Sequence, residues 1–331
     1  MIDAWTRQIH WLRFLVGLTI LAALVTICAS SARAETLRYG WQEVDGIRVF
    51  YREGGRADAP TIVFLHGNPS SSIMYEEVMR RLIEKQDVHV LAMDYPSFGY
   101  SDAPAHTSYR YTFENVAGTI GRFLQAKRVR RYGLYMQDYG VPIGFHLIAA
   151  NPEAVTSIIV QNGVIHLDGF AAAQDENGEL RRHWRNRDPA IDARRAAYMS
   201  ALKYPARDGW SFAPTMSPDA ILLMTASAQR PGVTLARNDL WFDYGNNLKS
   251  YPAWQKLLQK TTVPVLVLWG SRDTFFTYPG AVAYLRDQPK AELHIFDGDH
   301  FATLQQPDIV SPLLADFIAR HREALSSGRK R

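Results

Sequence analysis

The 331-residue sequence predicts an α/β fold: a mostly parallel, eight-stranded sheet with helices on both faces and a helical segment inserted after the sixth strand. Three observations predict it. Short unbroken apolar runs, such as Thr61 to Leu65 (TIVFL), read as parallel strands buried on both faces. These runs alternate with stretches of helical periodicity, the order that builds a sheet wrapped on both sides. From about residue 164 to 255 the strand pattern stops, and Arg, Ala, Trp and Tyr at helical spacing replace it.

The first 34 residues stand apart. Arg7 and Arg13 precede an apolar run from Phe14 to Ala29, and Ala32-Arg33-Ala34 follows, the three parts of a secretory signal peptide. The run is shorter than the ~20 residues that span a bilayer comfortably, although an uncleaved anchor is the alternative. Cleavage after Ala34 would make the mature protein secreted or periplasmic. It would also remove Cys28, the only cysteine, and leave 34 basic against 32 acidic side chains. Cys28 follows Ile27 where a lipoprotein signal needs a small residue. A charge this close to neutral, without a basic-aromatic stripe, argues against nucleic-acid binding.

Along the chain, Leu37 to Val44 and Ile47 to Tyr51 read as strands joined by a hairpin turn at Asp45-Gly46. Thr61 to Leu65 is the third strand, and a helix follows over Ser72 to Glu84. Val88 to Met93 is the fourth strand, and Tyr111 to Ala126 has helical periodicity. Arg131 to Met136 is an apolar run that ends abruptly in Gln137-Asp138, with Gly140 two residues on and a helix over Val141 to Ala150. A strand, a sharp turn and a helix form a nucleophile elbow, here with Asp138 where serine is usual. A helix N-cap is the alternative role for Asp138. Val155 to Val160 is the sixth strand. Past the insertion, Pro264 suits entry to the strand Val265 to Trp269. A helix over Tyr278 to Asp287, a strand over Ala291 to Phe296 and a helix over Asp308 to Arg322 complete the pattern. The implied domains are a signal peptide (1–34), a core in two parts (35–163 and 256–325) around a helical cap (164–255), and a disordered tail (326–331).

Ligands of open α/β sheets bind beyond the carboxyl ends of the strands. Standing there are His66-Gly67-Asn68-Pro69, Asp138-Tyr139, Asn162, Asp273 and His300. The order nucleophile, acid, histidine is that of α/β-hydrolases. Asp138, ionised at neutral pH, would attack as a carboxylate. His300 would activate the water that hydrolyses the resulting ester, and Asp273 would hold the imidazole tautomer. Asp299, adjacent in sequence to His300, competes for that last role but would have to fold back onto its neighbour's ring. Backbone N–H groups of Asn68 and Tyr139 would form the oxyanion hole.

From about residue 37 to 322 the chain resembles the α/β-hydrolase superfamily, and within it the branch of haloalkane dehalogenases and epoxide hydrolases. The motifs are His66-Gly67-Asn68-Pro69, the run Asp94-Tyr95-Pro96-Ser97-Phe98-Gly99-Tyr100-Ser101-Asp102, Gln137-Asp138-Tyr139-Gly140 and Asp299-His300-Phe301. The resemblance implies an aspartyl-ester mechanism under a helical cap. For halide release it implies two N–H donors. Asn68 fits one, whereas Tyr139 stands where dehalogenases typically carry Trp. For epoxide opening it implies cap tyrosines as proton donors. Tyr244, in Trp241-Phe242-Asp243-Tyr244-Gly245-Asn246-Asn247, fits one, unless it packs the cap with its hydroxyl bonded elsewhere. Tyr198 and Tyr204 are available for a second. Trp184, Trp210 and Trp241 would pack or line an apolar pocket.

The expected activity is therefore epoxide hydrolysis to a vicinal diol. The alternatives are carbon–halogen hydrolysis and a non-catalytic periplasmic binding protein on the same fold. The absence of G-x-S-x-G disfavours a serine esterase. No metal, nucleotide or other cofactor motif is present. The expected partners are a small apolar organic substrate and water, with no nucleic acid and no stable membrane association after cleavage.

Overall fold

The structure, a computed structural model, describes residues 36–201 and 216–326. Residues 1–35, which hold Cys28 and the segment expected to be a signal peptide, Tyr204, Trp210 and residues 327–331 lie outside the described residues. Strand β1 (Arg38–Val44) and strand β2 (Ile47–Gly55) form the expected hairpin. Both of its turn residues take the left-handed conformation that such two-residue turns need, with φ 51° at Asp45 and 78° at Gly46. Strand β3 (Thr61–Leu65) leads to a 3-10 turn and helix α1 (Glu76–Lys85), so the regular helix starts later than the Ser72 predicted. Strand β4 (His89–Met93) precedes helix α2 (Phe113–Ala126). That helix begins at Phe113 rather than Tyr111 because the Thr112 hydroxyl accepts the Asn115 N–H at 3.2 Å and caps it.

Strand β5 (Tyr132–Gln137), helix α3 (Gly140–Ala150) and strand β6 (Val155–Gln161) follow the sequence reading closely. The insertion holds helices α4 (Ala171–Gln174), α5 (Glu179–Arg185), α6 (Pro189–Ala201), α7 (Pro218–Ala228) and α8 (Val233–Lys260). The chain then returns through strand β7 (Val265–Gly270), helix α9 (Pro279–Asp287) and strand β8 (Glu292–Phe296). It ends in helices α10 (Ala302–Gln305), α11 (Pro307–Arg320) and α12 (Arg322–Ser326).

The eight strands form one sheet in the order β1-β2-β4-β3-β5-β6-β7-β8. The β1–β2 and β2–β4 pairs are antiparallel and the rest parallel. Side chains alternate across it, as a pleated strand requires. Val63, Leu65, Leu134 and Met136 join the apolar cluster shared with α2, α3 and α8. Ile62, Phe64 and Tyr135 join the opposite cluster, shared with α1, α11 and α12. Burial of each large side chain in these layers contributes roughly 1.5–3 kcal/mol.

One predicted boundary falls inside an element. Helix α8 runs for 28 residues, through Pro252 to Lys260, so residue 255 does not end the insertion. A proline in a helix interior removes one backbone hydrogen bond. The helix continues because Tyr251, Trp254 and Leu258 on either side of it are buried against the core. Trp254 alone stacks on Phe145 of α3 at 5.7 Å between ring centroids.

Candidate active site

The carboxyl ends of β3, β5, β6, β7 and β8 converge under the insertion, where a cavity of about 910 Å³ opens. Asp138 stands at its floor. Its φ is 50°, a left-handed conformation uncommon for a residue with a side chain. The turn is tight enough to exclude a side chain at Gly140, whose added Cβ would lie 2.0 Å from the Leu65 carbonyl oxygen. Helix α3 starts beyond this turn without a side-chain cap, so Asp138 does not serve as its N-cap. Instead, its Oδ1 accepts the backbone N–H of Asn68 at 2.6 Å, and the backbone N–H of Tyr139 also donates to the carboxylate. These are the two donors the sequence singled out for an oxyanion hole.

His300 faces this carboxylate, its Nε2 at 3.9 Å from Asp138 Oδ2. Its Nδ1 lies 2.8 Å from Asp273 Oδ2, which places the shared proton on Nδ1. Asp273 is itself fixed. Its Oδ1 accepts the Phe275 and Phe276 N–H groups at 2.8 and 3.0 Å, and its Oδ2 accepts Asn162 Nδ2 at 2.9 Å. Asp299 Oδ1 instead accepts the nearby Phe301 N–H at 3.3 Å. Gln137, one residue before Asp138, donates from Nε2 to His300 Nε2 at 3.0 Å and to the His300 carbonyl at 3.1 Å.

The charges are coupled. Burial raises the Asp138 carboxyl above its ordinary range, against the His300 charge and the two backbone N–H groups that favour the carboxylate. Burial works against a charged His300, but the Asp273 charge and hydrogen bond, with the Asp138 charge, prevail and raise it to about 9. The Gln137 N–H acts in the other direction, because only a neutral imidazole can accept it.

The remaining predicted residues fall into two groups. Asn68, Tyr139, Tyr198 and Trp241 line the cavity. Tyr244 does not. It is 1% exposed, stacks on Trp184, packs against Phe113 and Phe170, and its hydroxyl lies 3.4 Å from that of Tyr251. This is the packing role that stood as its alternative, and the proton-donor assignment is corrected accordingly. Trp184 is likewise a packing residue, its Nε1 donating to the Trp241 carbonyl at 2.8 Å. His66 is buried, stacked on Tyr95 at 3.9 Å, and pushed down to about 3 by that burial. Asp94 ties the end of β4 to Ser72 and Tyr100, so these motif residues hold backbone rather than line the cavity.

The sequence named Gln137 and Asn162 without giving them a role, and it did not single out Arg195. Gln137 and Asn162 carried a signal, standing at the ends of β5 and β6. Arg195 carried none, since the insertion holds many arginines.

A carboxylate on a strand–turn–helix elbow, facing a histidine held by a second carboxylate, defines a hydrolase site. A family model described as alpha/beta hydrolase fold matches residues 60–307, and the chain belongs to that family. It is 36% identical over 271 residues to an uncharacterised hydrolase of Saccharomyces cerevisiae, covering 79% of this chain and 90% of that one. Over 113 residues it is 34% identical to a haloalkane dehalogenase of Bradyrhizobium diazoefficiens, covering 34% of this chain and 35% of that one. Among solved structures, a haloalkane dehalogenase loop variant from Bradyrhizobium elkanii superposes with a TM-score of 0.70 at 22% identity, covering 88% of this chain and 99% of that one. A proposed epoxide hydrolase from Pseudomonas aeruginosa does so with a TM-score of 0.67 at 21% identity, covering 87% and 97%. The chain is thus a hydrolase of the α/β-hydrolase fold, similar over about a third of its length to a haloalkane dehalogenase and in fold to the two solved structures.

Proposed function

We propose that the protein hydrolyses epoxides to vicinal diols through an ester on Asp138. An Asp138 oxygen attacks an epoxide carbon, the carbon–oxygen bond breaks, and its electron pair goes to the ring oxygen, which takes a proton. His300 then takes a proton from water. The hydroxide adds to the ester carbonyl carbon, and the oxyanion formed there is stabilised by the Asn68 and Tyr139 N–H groups. Collapse expels the diol's alkoxide, which takes the imidazolium proton, and the proton left on the Asp138 carboxyl passes to the group that protonated the ring oxygen, restoring both the carboxylate and the donor.

The observation that carries the choice of epoxide is that two tyrosines, Tyr139 and Tyr198, line the cavity floored by Asp138. Burial pushes the Tyr139 hydroxyl up to about 12, against the Arg195 charge that lowers it, and burial pushes Tyr198 up to about 12. Both hydroxyls are therefore protonated at neutral pH and able to donate to a forming alkoxide. They take over the role first assigned to Tyr244. Halide release is the second reading, favoured by Asn68 at the cavity and by the partial likeness to haloalkane dehalogenases.

A panel of terminal epoxides and a matched panel of bromoalkanes tests the choice. The expected result is diol without bromide, with roughly 10²- to 10⁴-fold slower diol formation in a Tyr139→Phe, Tyr198→Phe double variant. Bromide without diol would reject epoxide hydrolysis in favour of the halide reading.

A further inference from the structure

The insertion side of the cavity carries a cation that no acid among the described residues neutralises. Among the described residues, three arginines line the cavity. Arg194 pairs with Glu179 and Arg272 with Asp297, whereas Arg195 has no acidic partner among the described residues. Its contacts are all with neutral groups. Nη1 reaches Asn238 Oδ1 at 3.3 Å and the Arg237 carbonyl at 3.5 Å, and Nη2 reaches the Tyr139 hydroxyl at 3.5 Å. The guanidinium also lies 4.9 Å from the Trp241 ring centroid, which fixes its plane. Five N–H groups and three long, neutral contacts leave donors to spare, in a fork that matches a carboxylate.

A second cation stands behind the first. Arg237 is 1% exposed and lies 4.3 Å over Phe98, and its Nε and Nη1 have no hydrogen-bond partner among the described residues. The charges of Arg195 and Arg237 both act on Tyr139. With the Arg194–Glu179 and Arg272–Asp297 pairs set aside, the charges left on the described lining are the carboxylates of Asp138, Asp273 and Asp299 on the core side and the Arg195 guanidinium on the insertion side. Leu180, Ile191 and Phe275 add apolar wall to the same cavity.

We infer that the substrate carries a carboxylate, which pairs with Arg195 on the insertion side while the reactive carbon is presented to Asp138. An acid with its electrophilic carbon several bonds away would be aligned by the polarity of the cavity itself. The inference deepens the epoxide reading, and its turnover arm rests on that reading. Its binding arm does not.

The binding arm compares hexanoate with hexanamide by calorimetry at neutral pH. Wild type is expected to bind hexanoate roughly 10- to 100-fold more tightly than the amide. The preference should vanish in Arg195→Met and survive in part in Arg195→Lys. Equal binding of acid and amide by wild type, or a preference undiminished in Arg195→Met, would overturn the inference. The turnover arm compares kcat/KM for 5,6-epoxyhexanoate and 5,6-epoxyhexanamide. A ratio favouring the acid that falls toward one in Arg195→Met is expected. Equal turnover of both epoxides by wild type would remove the inference and leave the epoxide reading intact. Tighter hexanoate binding with no turnover of either epoxide would leave the anion site intact and reject the reaction.

Discussion

His300→Gln protein mixed with a terminal epoxide is expected to gain the mass of one substrate molecule and to keep it. The first half of the reaction needs an ionised Asp138 and a proton donor, the role proposed for Tyr139 and Tyr198. The second half needs a base beside the ester, and the 3.9 Å between His300 Nε2 and Asp138 Oδ2 puts the imidazole next to the ester carbonyl that the water must attack. Removing that base should slow steady turnover by about 10³-fold or more, with the loss confined to ester hydrolysis. Intact-protein mass spectrometry detects the adduct, and peptide mapping should place it on Asp138. Loss of turnover without any adduct would contradict the assignment of His300 to the hydrolytic half.

Lowering the pH should imitate that variant in the wild type. His300 is held up to about 9 by Asp273 and Asp138 against burial. Esterification removes the Asp138 charge, so the imidazole in the ester titrates lower than in the resting enzyme and is freed to act as a base. As pH falls through that lower value, hydrolysis fails first. Alkylation continues until Asp138 itself takes a proton, which burial makes happen above the ordinary carboxylate range. Between the two, rapid-quench samples should show ester accumulating.

Asp138→Asn is expected to lose turnover by about 10⁴-fold or more while folding at least as well as the wild type. An amide oxygen cannot supply the negative charge that attacks carbon. The fold should not suffer, because Asn is among the residues that tolerate left-handed backbone, and φ here is 50°. The folded-state pKa of Asp138 is raised, so its ionisation at neutral pH works against the folded state. The neutral side chain removes that penalty. Thermal unfolding of the two proteins side by side checks the second half of the expectation. A variant that keeps substantial turnover would exclude Asp138 as nucleophile.

Much of this site was legible before the structure, and the reasons are physical. Strands β3 to β7 are buried on both faces, so they read as unbroken apolar runs with sharp polar ends. Those ends, with the end of the half-buried β8 that carries His300, place Asp138, Asn162, Asp273 and His300 together whatever their spacing in sequence. The turn at Asp138 was legible because Gly140 leaves no room for a side chain against Leu65.

The insertion was legible only as helical. Trp241 and Tyr244 lie three residues apart on α8, and the ~4.5 Å rise between them carries Tyr244 out of the cavity and in among Phe113, Phe170 and Trp184. Sequence spacing does not say where along a helix a cavity ends. Arg195 was hidden for a related reason. Whether an arginine is neutralised depends on which acid the fold brings to it, as with Arg194 and Glu179.

The central claim, attack by the Asp138 carboxylate and hydrolysis of its ester, is tested most directly by one turnover in ¹⁸O-water with enzyme in excess over 5,6-epoxyhexanoate. The account predicts a diol whose new oxygen is unlabelled, because it came from Asp138, and one ¹⁸O in the peptide that carries Asp138. Labelled diol with an unlabelled Asp138 peptide would mean that water attacks the substrate directly, and would contradict the ester mechanism.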